Sequence, residues 1–336
     1  MGTRQRRRKR DRAGFTLIEI LTVITIIAVL MTLTMKVVGA VIDNARQSAT
    51  VSTLTKIQSL MNSRRQAFNR LTLRKGFVTN SSEYALCKTV LGLTGQPQRI
   101  VAGKILQMKY FPQSQADLNW LLTFYAGDQT QAATLQFVNL YPTLFQQPFV
   151  LGQTPVVLPN LTNQEILYNV LTENSIGDSP TGPDSFTAQE VQAEPTPQLA
   201  TAGKSYFVDA WKNPIRFYRW PTRLFRSDGI NISATDVLNA RFVFSALPVF
   251  TGNLQTDLGR DPDDPLQMCG SIAAFESNWH TPATFHMPLI VSPGPDGQLG
   301  MGLPDSATFT DRLAIVTNQD QLTDNIVSAS IKAGGK

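Results

Sequence analysis

From Phe15 to Met35 the chain runs through 21 residues with a single charge, Glu19. At ~1.5 Å rise per residue a helix of that length spans ~30 Å, the thickness of a bilayer's hydrocarbon core. Beyond it the pattern turns amphipathic. Leu54, Ile57, Leu60, Met61, Phe68 and Leu71 fall on one arc at the helical period, with Thr55, Ser59, Asn62 and Gln66 opposite. Gly39 is the one glycine between Phe15 and Lys75, and no proline occurs before Pro97. Arg70, Arg74 and Lys75 then precede Gly76, a charge pattern and a residue that stop a helix. The pattern predicts one helix over residues 15–75. It is apolar all round over 15–38, the transmembrane part, and amphipathic afterwards, where it packs on a globular head.

The head reads as mixed. Helical segments are expected at "SQADLNWLLTFYA" after Pro112 and at "NQEILYNVLTEN" after a turn at 160–162. Residues 174–203 are rich in Pro, Ser, Thr and Gly and read as a long exposed connection. Short strand candidates follow: "KSYFVDA", "PIRFYRW", "ARFVFSALPVF", "FHMPLIVS" and "RLAIVTN", each bounded by Gly, Pro or Asp turns, as in an antiparallel sheet. The expected fold class is α+β, in four parts. These are a basic leader (1–14), the long helix (15–75), an insertion with helical segments and a Pro/Ser-rich connection (76–203), and a C-terminal antiparallel sheet (204–336).

Charge changes the picture once it is divided by region. The formal net charge is +5, but residues 1–14 hold seven basic side chains against one acid, Asp11. The rest carries 23 basic and 24 acidic groups, so no nucleic acid is expected as a partner. A basic run directly before an apolar segment keeps the N terminus in the cytoplasm. The small residues Ala13 and Gly14 come before the apolar run rather than after it, the wrong end for an ordinary secretory cut. Outside the cytoplasm, Cys87 and Cys269 form either a disulfide or two buried thiols.

Signals for catalysis are poor. "AGKS" at 202–205 has Gln198 where a phosphate loop needs glycine, and His280 and His286 lie in no triad or zinc spacing. The acidic "DLGRDPDDP" lacks the glycine and the terminal glutamate of an EF-hand loop and reads as solvated. No enzyme is expected. What needs explaining is Glu19, because a carboxylate at membrane depth costs roughly 2.5–3.5 kcal/mol on insertion scales.

The stretch "RAGFTLIEILTVITIIAVL" resembles the prepilin-type processing motif of type IV pilins and type II secretion pseudopilins, through Arg12, Gly14, Phe15 and Glu19. The resemblance implies that a prepilin peptidase, an inner-membrane aspartyl enzyme, cuts between Gly14 and Phe15 and methylates the new amino terminus. It implies a single-pass inner-membrane protein whose head is periplasmic, or extracellular in a filament. Its partners are then other pilin or pseudopilin subunits, and Glu19 faces the Phe15 amine of a neighbour. Three further stretches are similar to the major-pseudopilin head: "YFVDAWKNPIRFYRW", "LIVSPGPDGQLGM" and "TDRLAIVTNQD". The matching positions are Asp209, Trp211, Asn213 and Pro214, then Ser292, Gly294, Asp296 and Gly297, then Asp311 and Asn318.

In that family the loop around the second and third pieces binds calcium, which implies Asp296 and Asp311 as ligands, with Asp305 a weaker candidate. Carboxylates and bent backbone carbonyls suit calcium's demand for six to eight oxygens at ~2.3–2.6 Å. Two departures stand out. The family's adjacent acid pair is Asp311-Arg312 here, and its late transmembrane proline is missing. The implied function is a structural filament subunit. The alternatives are a minor pilin acting as tip adhesin or binding module, and a membrane-tethered enzyme.

Overall fold

A computed structural model describes residues 17–146, 153–173, 176, 182–193, 204–220, 263–264, 268–269, 288–306, 312, 314, 317–318, 320–322 and 324–327. Two compact units divide the chain, Met1–Ser48 and Ala49–Lys336. The expected long helix is present as α1, Leu17–Leu73.

In the first unit, every described side chain of α1 is exposed, among them Leu17, Ile20, Ile24, Ile27, Leu30 and Leu33. The helix here has no apolar seam to bury and is greasy on all faces, the mark of a membrane span rather than of a core helix.

In the second unit, the predicted face of α1 is the buried one. Leu54, Ile57, Met61 and Phe68 are in the core and Leu60 and Leu71 pack at its edge, whereas Thr55, Ser59 and Gln66 face solvent. The helix stops where expected, with Gly76 at φ 83 in the left-handed region that glycine enters without steric cost.

Among the described residues five more α-helices follow: α2 (Ser82–Thr89), α3 (Gly95–Tyr110), α4 (Gln115–Tyr125), α5 (Ala132–Leu140) and α6 (Asn163–Thr172). Local signals start several of them. The Ser81 hydroxyl accepts from Tyr84 N at 3.1 Å, and Ser114 accepts from Asp117 N at 3.3 Å. At α6 the Glu165 carboxylate reaches back to Thr162 N at 2.7 Å, half of a capping box. Helix α3 is buried on two sides. Val101, Ala102, Ile105 and Met108 join a cluster with α2, α4, α5 and α6, while Leu106 joins the cluster built on α1. The helices of residues 77–173 therefore share their core with the rest of the head. Cys87 and Cys269 are both buried in the first cluster.

The strands are short: β1 (Val191–Ala193), β2 (Ser205–Phe207), β3 (Arg216–Tyr218), β4 (Leu289–Ser292) and β5 (Ile326–Val327). They form an antiparallel β1-β2 pair and an antiparallel β3-β4-β5 sheet, in which Phe217 lies opposite Ile290 and Val291 opposite Val327. Three of the five expected strands are thus found. The one at 240–250 lies outside the described residues. Of the one at 312–318 only residues 312, 314, 317 and 318 are described; none of these is in a strand, and Ala314 sits at φ 59, a left-handed backbone that interrupts extended structure. β1 lies inside the segment expected to be an exposed connection.

A polar hub joins the helices to the sheet. Gln113 donates from its side chain to the carbonyls of Pro304 and Arg312, and accepts from Arg219 N at 2.8 Å. The Asp117 carboxylate accepts from Arg219 Nη1 at 2.7 Å, Gln113 N at 2.9 Å and Arg312 Nη1 at 3.3 Å. Burial pushes the Asp117 carboxyl up, but the two guanidiniums overcome it and hold it below the usual carboxylate range. Asn163 donates to the carbonyls of Gln113 and Phe217 and accepts from Phe217 N, each at 2.8 Å. On α1, Thr53 and Lys56 bond to Glu190 at 3.0 and 2.8 Å, and Thr50 accepts from Ala210 N at 3.1 Å.

Candidate functional site

The apolar part of α1 satisfies its own polar groups. The hydroxyls of Thr22, Thr25, Thr32 and Thr34 each donate to a carbonyl three or four residues back, at 2.8–3.2 Å. In hydrocarbon this matters, since a hydroxyl without a partner costs several kcal/mol. Glu19, in the first turn, is the one ionisable residue between Leu17 and Met35. A carboxylate at membrane depth is costly to desolvate, and pairing with an opposite charge offsets most of that cost. Gly14 and Phe15 lie outside the described residues.

The second constellation does come together. Asp209 Oδ1 accepts from Trp211 N and Asn213 N, both at 2.8 Å, closing the turn that leads into β3. Its Oδ2 accepts from Ser292 Oγ at 2.7 Å, and Asn213 Nδ2 donates to Gly294 O at 2.6 Å. The first two stretches that resemble a pseudopilin head are therefore bonded to each other through the side chains that carry the resemblance. Burial raises the Asp209 carboxyl, against the hydrogen bonds from Ser292, Asn213 and Trp211.

The turn at 294–297 needs its glycines. Gly294 is at φ 72, and a Cβ there would stand 2.3 Å from the carbonyl oxygen of Asp324; Gly297 is at φ 71. Asp296 is exposed and takes Gln298 N on its Oδ1 at 2.7 Å. Its own N–H donates to Asp324 Oδ2 at 3.2 Å, while Asp324 Oδ1 is buried with no hydrogen-bond partner. Asp324 was not a sequence candidate, because nothing local in "QLTDN" marks it; only the fold brings it to residues 28 positions away.

Asp305 is held by different partners. It pairs with Arg216 Nη1 at 3.5 Å, and burial pushes its carboxyl up to about 6. A group engaged by arginine and readily protonated is a poor calcium ligand. Asp311 lies outside the described residues. Among the described residues, no group of three or more His, Cys, Asp or Glu side chains is placed to hold a metal. The donor set at the turn is Asp296, Asp324 and nearby carbonyls, all hard oxygen donors of the kind calcium takes.

No curated protein and no solved structure matches the chain. Residues 9–35 match the prokaryotic N-terminal methylation motif. That interval contains Gly14, Phe15 and Glu19 and ends where the uninterrupted apolar run of α1 ends. Such a motif implies processing by a prepilin peptidase, inner-membrane anchoring before assembly, and association with pilin subunits, in proteins that are typically non-enzymatic. The chain carries the prepilin-type N-terminal methylation motif typical of type IV pilins and pseudopilins.

Proposed function

We propose that the protein is a structural subunit of a type II secretion pseudopilus or a type IV pilus-like filament, assembled through its N-terminal helix. The observation that carries this reading is an apolar helical surface, exposed on every face, with Glu19 as its one ionisable group. Cleavage after Gly14 frees an α-amine on Phe15 at membrane depth. A carboxylate paired with that amine in a neighbouring copy escapes most of its desolvation cost, so the pair favours assembly in one register. The head then rides on the filament surface.

Glu19→Leu inserts into the membrane as the wild type does, because the substitution removes a cost of insertion, but it fails to enter filaments. Membrane fractionation and counting of subunits in sheared filaments read the two steps separately. Normal incorporation of the variant refutes the pairing, and a mature chain that does not begin with N-methylated Phe15 by mass spectrometry refutes the processing. A calcium ion held by Asp296 and Asp324 at the Gly294 turn, with Asp311 as a further ligand, belongs to the same proposal. It neutralises two adjacent acids and ties the loop to the strand end. A minor subunit with a binding head is the second reading, favoured by a cavity of about 750 Å³ beside the end of α1 whose lining includes Arg74, Lys75, Phe77 and Tyr110.

A further inference from the structure

The near-neutral sum of the body averages over two opposite halves. Between Ala49 and Tyr110 ten basic side chains stand against a single acid, Glu83, whereas from Phe111 onward eleven basic groups face twenty-one acids. Part of the excess converges on one cavity of about 340 Å³ at the end of α1. Arg74, Lys75 and Arg99 line it together with Leu73, Gly76 and Val78, and no acid among the described residues does. All three cations are exposed, and no carboxylate among the described residues pairs with any of them. The cavity of about 750 Å³ also touches Arg74 and Lys75, but Glu83 lines it as well, so the smaller cavity is the purely cationic one.

The backbone holds these cations together. The turn after α1 is closed by Phe77 N on Arg74 O at 3.0 Å and by Asn80 N on Gly76 O at 2.8 Å. Val78, in that turn, packs against both core clusters, and Ile100, the neighbour of Arg99, packs against one of them. Arg74 and Lys75 suit the C-terminal end of a helix dipole, but Arg99, in the second turn of α3, has no such reason to be basic. Three like charges around one small space repel one another, and an anion set among them turns the repulsion into attraction. A carboxylate offsets one of the three. A phosphate monoester carries about −1.5 to −2 at neutral pH and offers three acceptor oxygens, one for each cation. Two of the three are arginines, whose forked guanidinium matches phosphate oxygens. Leu73, 84% exposed, lines the same cavity and offers an apolar contact to whatever carries the phosphate.

We infer that this cavity binds a phosphate monoester, with Arg74, Lys75 and Arg99 on its oxygens and Leu73 against the carbon atoms that bear it. The group comes from a soluble molecule or from a lipid headgroup, and the chemistry that recognises it is the same. The inference does not depend on which filament the protein joins, or on whether it is processed.

The test uses the full chain in a neutral detergent, with its melting temperature followed at constant ionic strength. One arm titrates glycerol 3-phosphate, and the other titrates phosphatidic acid in the micelles, which presents the same group on a lipid. A ligand that binds only the folded form raises the melting temperature. Arg99→Gln is compared with Lys88→Gln, which removes an exposed cation on α2 outside the cavity. Each variant loses one charge and keeps the basic leader, so overall charge drops out of the difference. Loss of one charge-assisted hydrogen bond raises the half-maximal concentration about tenfold in Arg99→Gln, while Lys88→Gln responds as the wild type does. Arg74→Gln, read in the same way, repeats the test from the other wall. That pattern with glycerol 3-phosphate assigns a soluble source, and the same pattern with phosphatidic acid alone assigns a lipid. No response in either arm, or equal weakening in Arg99→Gln and Lys88→Gln, overturns the inference. An equal response to citrate at matched charge overturns the phosphate assignment in favour of carboxylates.

Discussion

Asp117 is the acid on which the helical and sheet parts of the head converge, and Asp117→Ala tests how much that junction matters. The carboxylate and the Arg219 side chain facing it are 2% and 5% exposed, so this is a buried ion pair rather than a surface one. Removing the acid leaves the Arg219 charge in the interior and strips the acceptor from Gln113 N. Breaking a buried pair from one side costs about 3–5 kcal/mol. In a domain of this size each kcal/mol lowers the melting temperature by about 2–4 °C, so a drop of about 10 °C is expected. Thermal or urea unfolding of the head from Ala49 onward measures it, with the m-value as a check that the unfolded reference has not changed. The double variant Asp117→Leu with Arg219→Met removes both charges and should recover part of the loss.

The pH dependence has a fixed sign. The folded-state Asp117 carboxyl is depressed, so its stabilisation is complete above the ordinary carboxylate range and is lost as pH falls through that range and below. Asp117→Ala should lack that component of acid sensitivity. A melting temperature within 2–3 °C of wild type for Asp117→Ala, with an unchanged m-value, refutes the view that this pair joins the two parts.

Glu173, at the C-terminal end of α6, is pushed up to about 7 by burial. Because its folded value is raised, it lowers stability as pH rises from about 4.5 through 7; Glu173→Gln should therefore be about 3 kcal/mol more stable than wild type at pH 8 and equal to it at pH 4, and equal stabilities at both pH values count against it. Calcium should raise the melting temperature of the head, and a chelator should reverse the rise; Asp324→Asn should abolish the response, and a response that survives it moves the ion elsewhere.

Long-period features were legible in the sequence. The C-terminal end of α1 could be bounded within two residues because one period persists for many turns and Gly76 ends it by conformation rather than by composition. The strands were legible only where aromatic and β-branched residues cluster, as in β3 and β4. β1 and β5, three and two residues long, are set by pairing partners and carry no local pattern. The same reason hid Asp324 and the Asn163 bonds, since a side chain that serves a distant backbone looks like any loop or cap residue. Asp209, Asn213 and Ser292 were found through resemblance alone, and the structure gives them a mechanical reason: they splice two strand ends.

Asn163 has a bearing on how copies of this chain can meet. Its amide takes both the N–H and the C=O of Phe217, the middle residue of β3, on the side away from β4. The side chain thereby mimics a fourth strand and plugs the template an unfinished sheet would offer. Growth by lending a strand from one molecule to the next, one of the standard routes to fibrous polymers, is shut off at this border. In the filament proposed above, contacts between copies run through surfaces other than this one, and the bare helix is the surface with the most to gain.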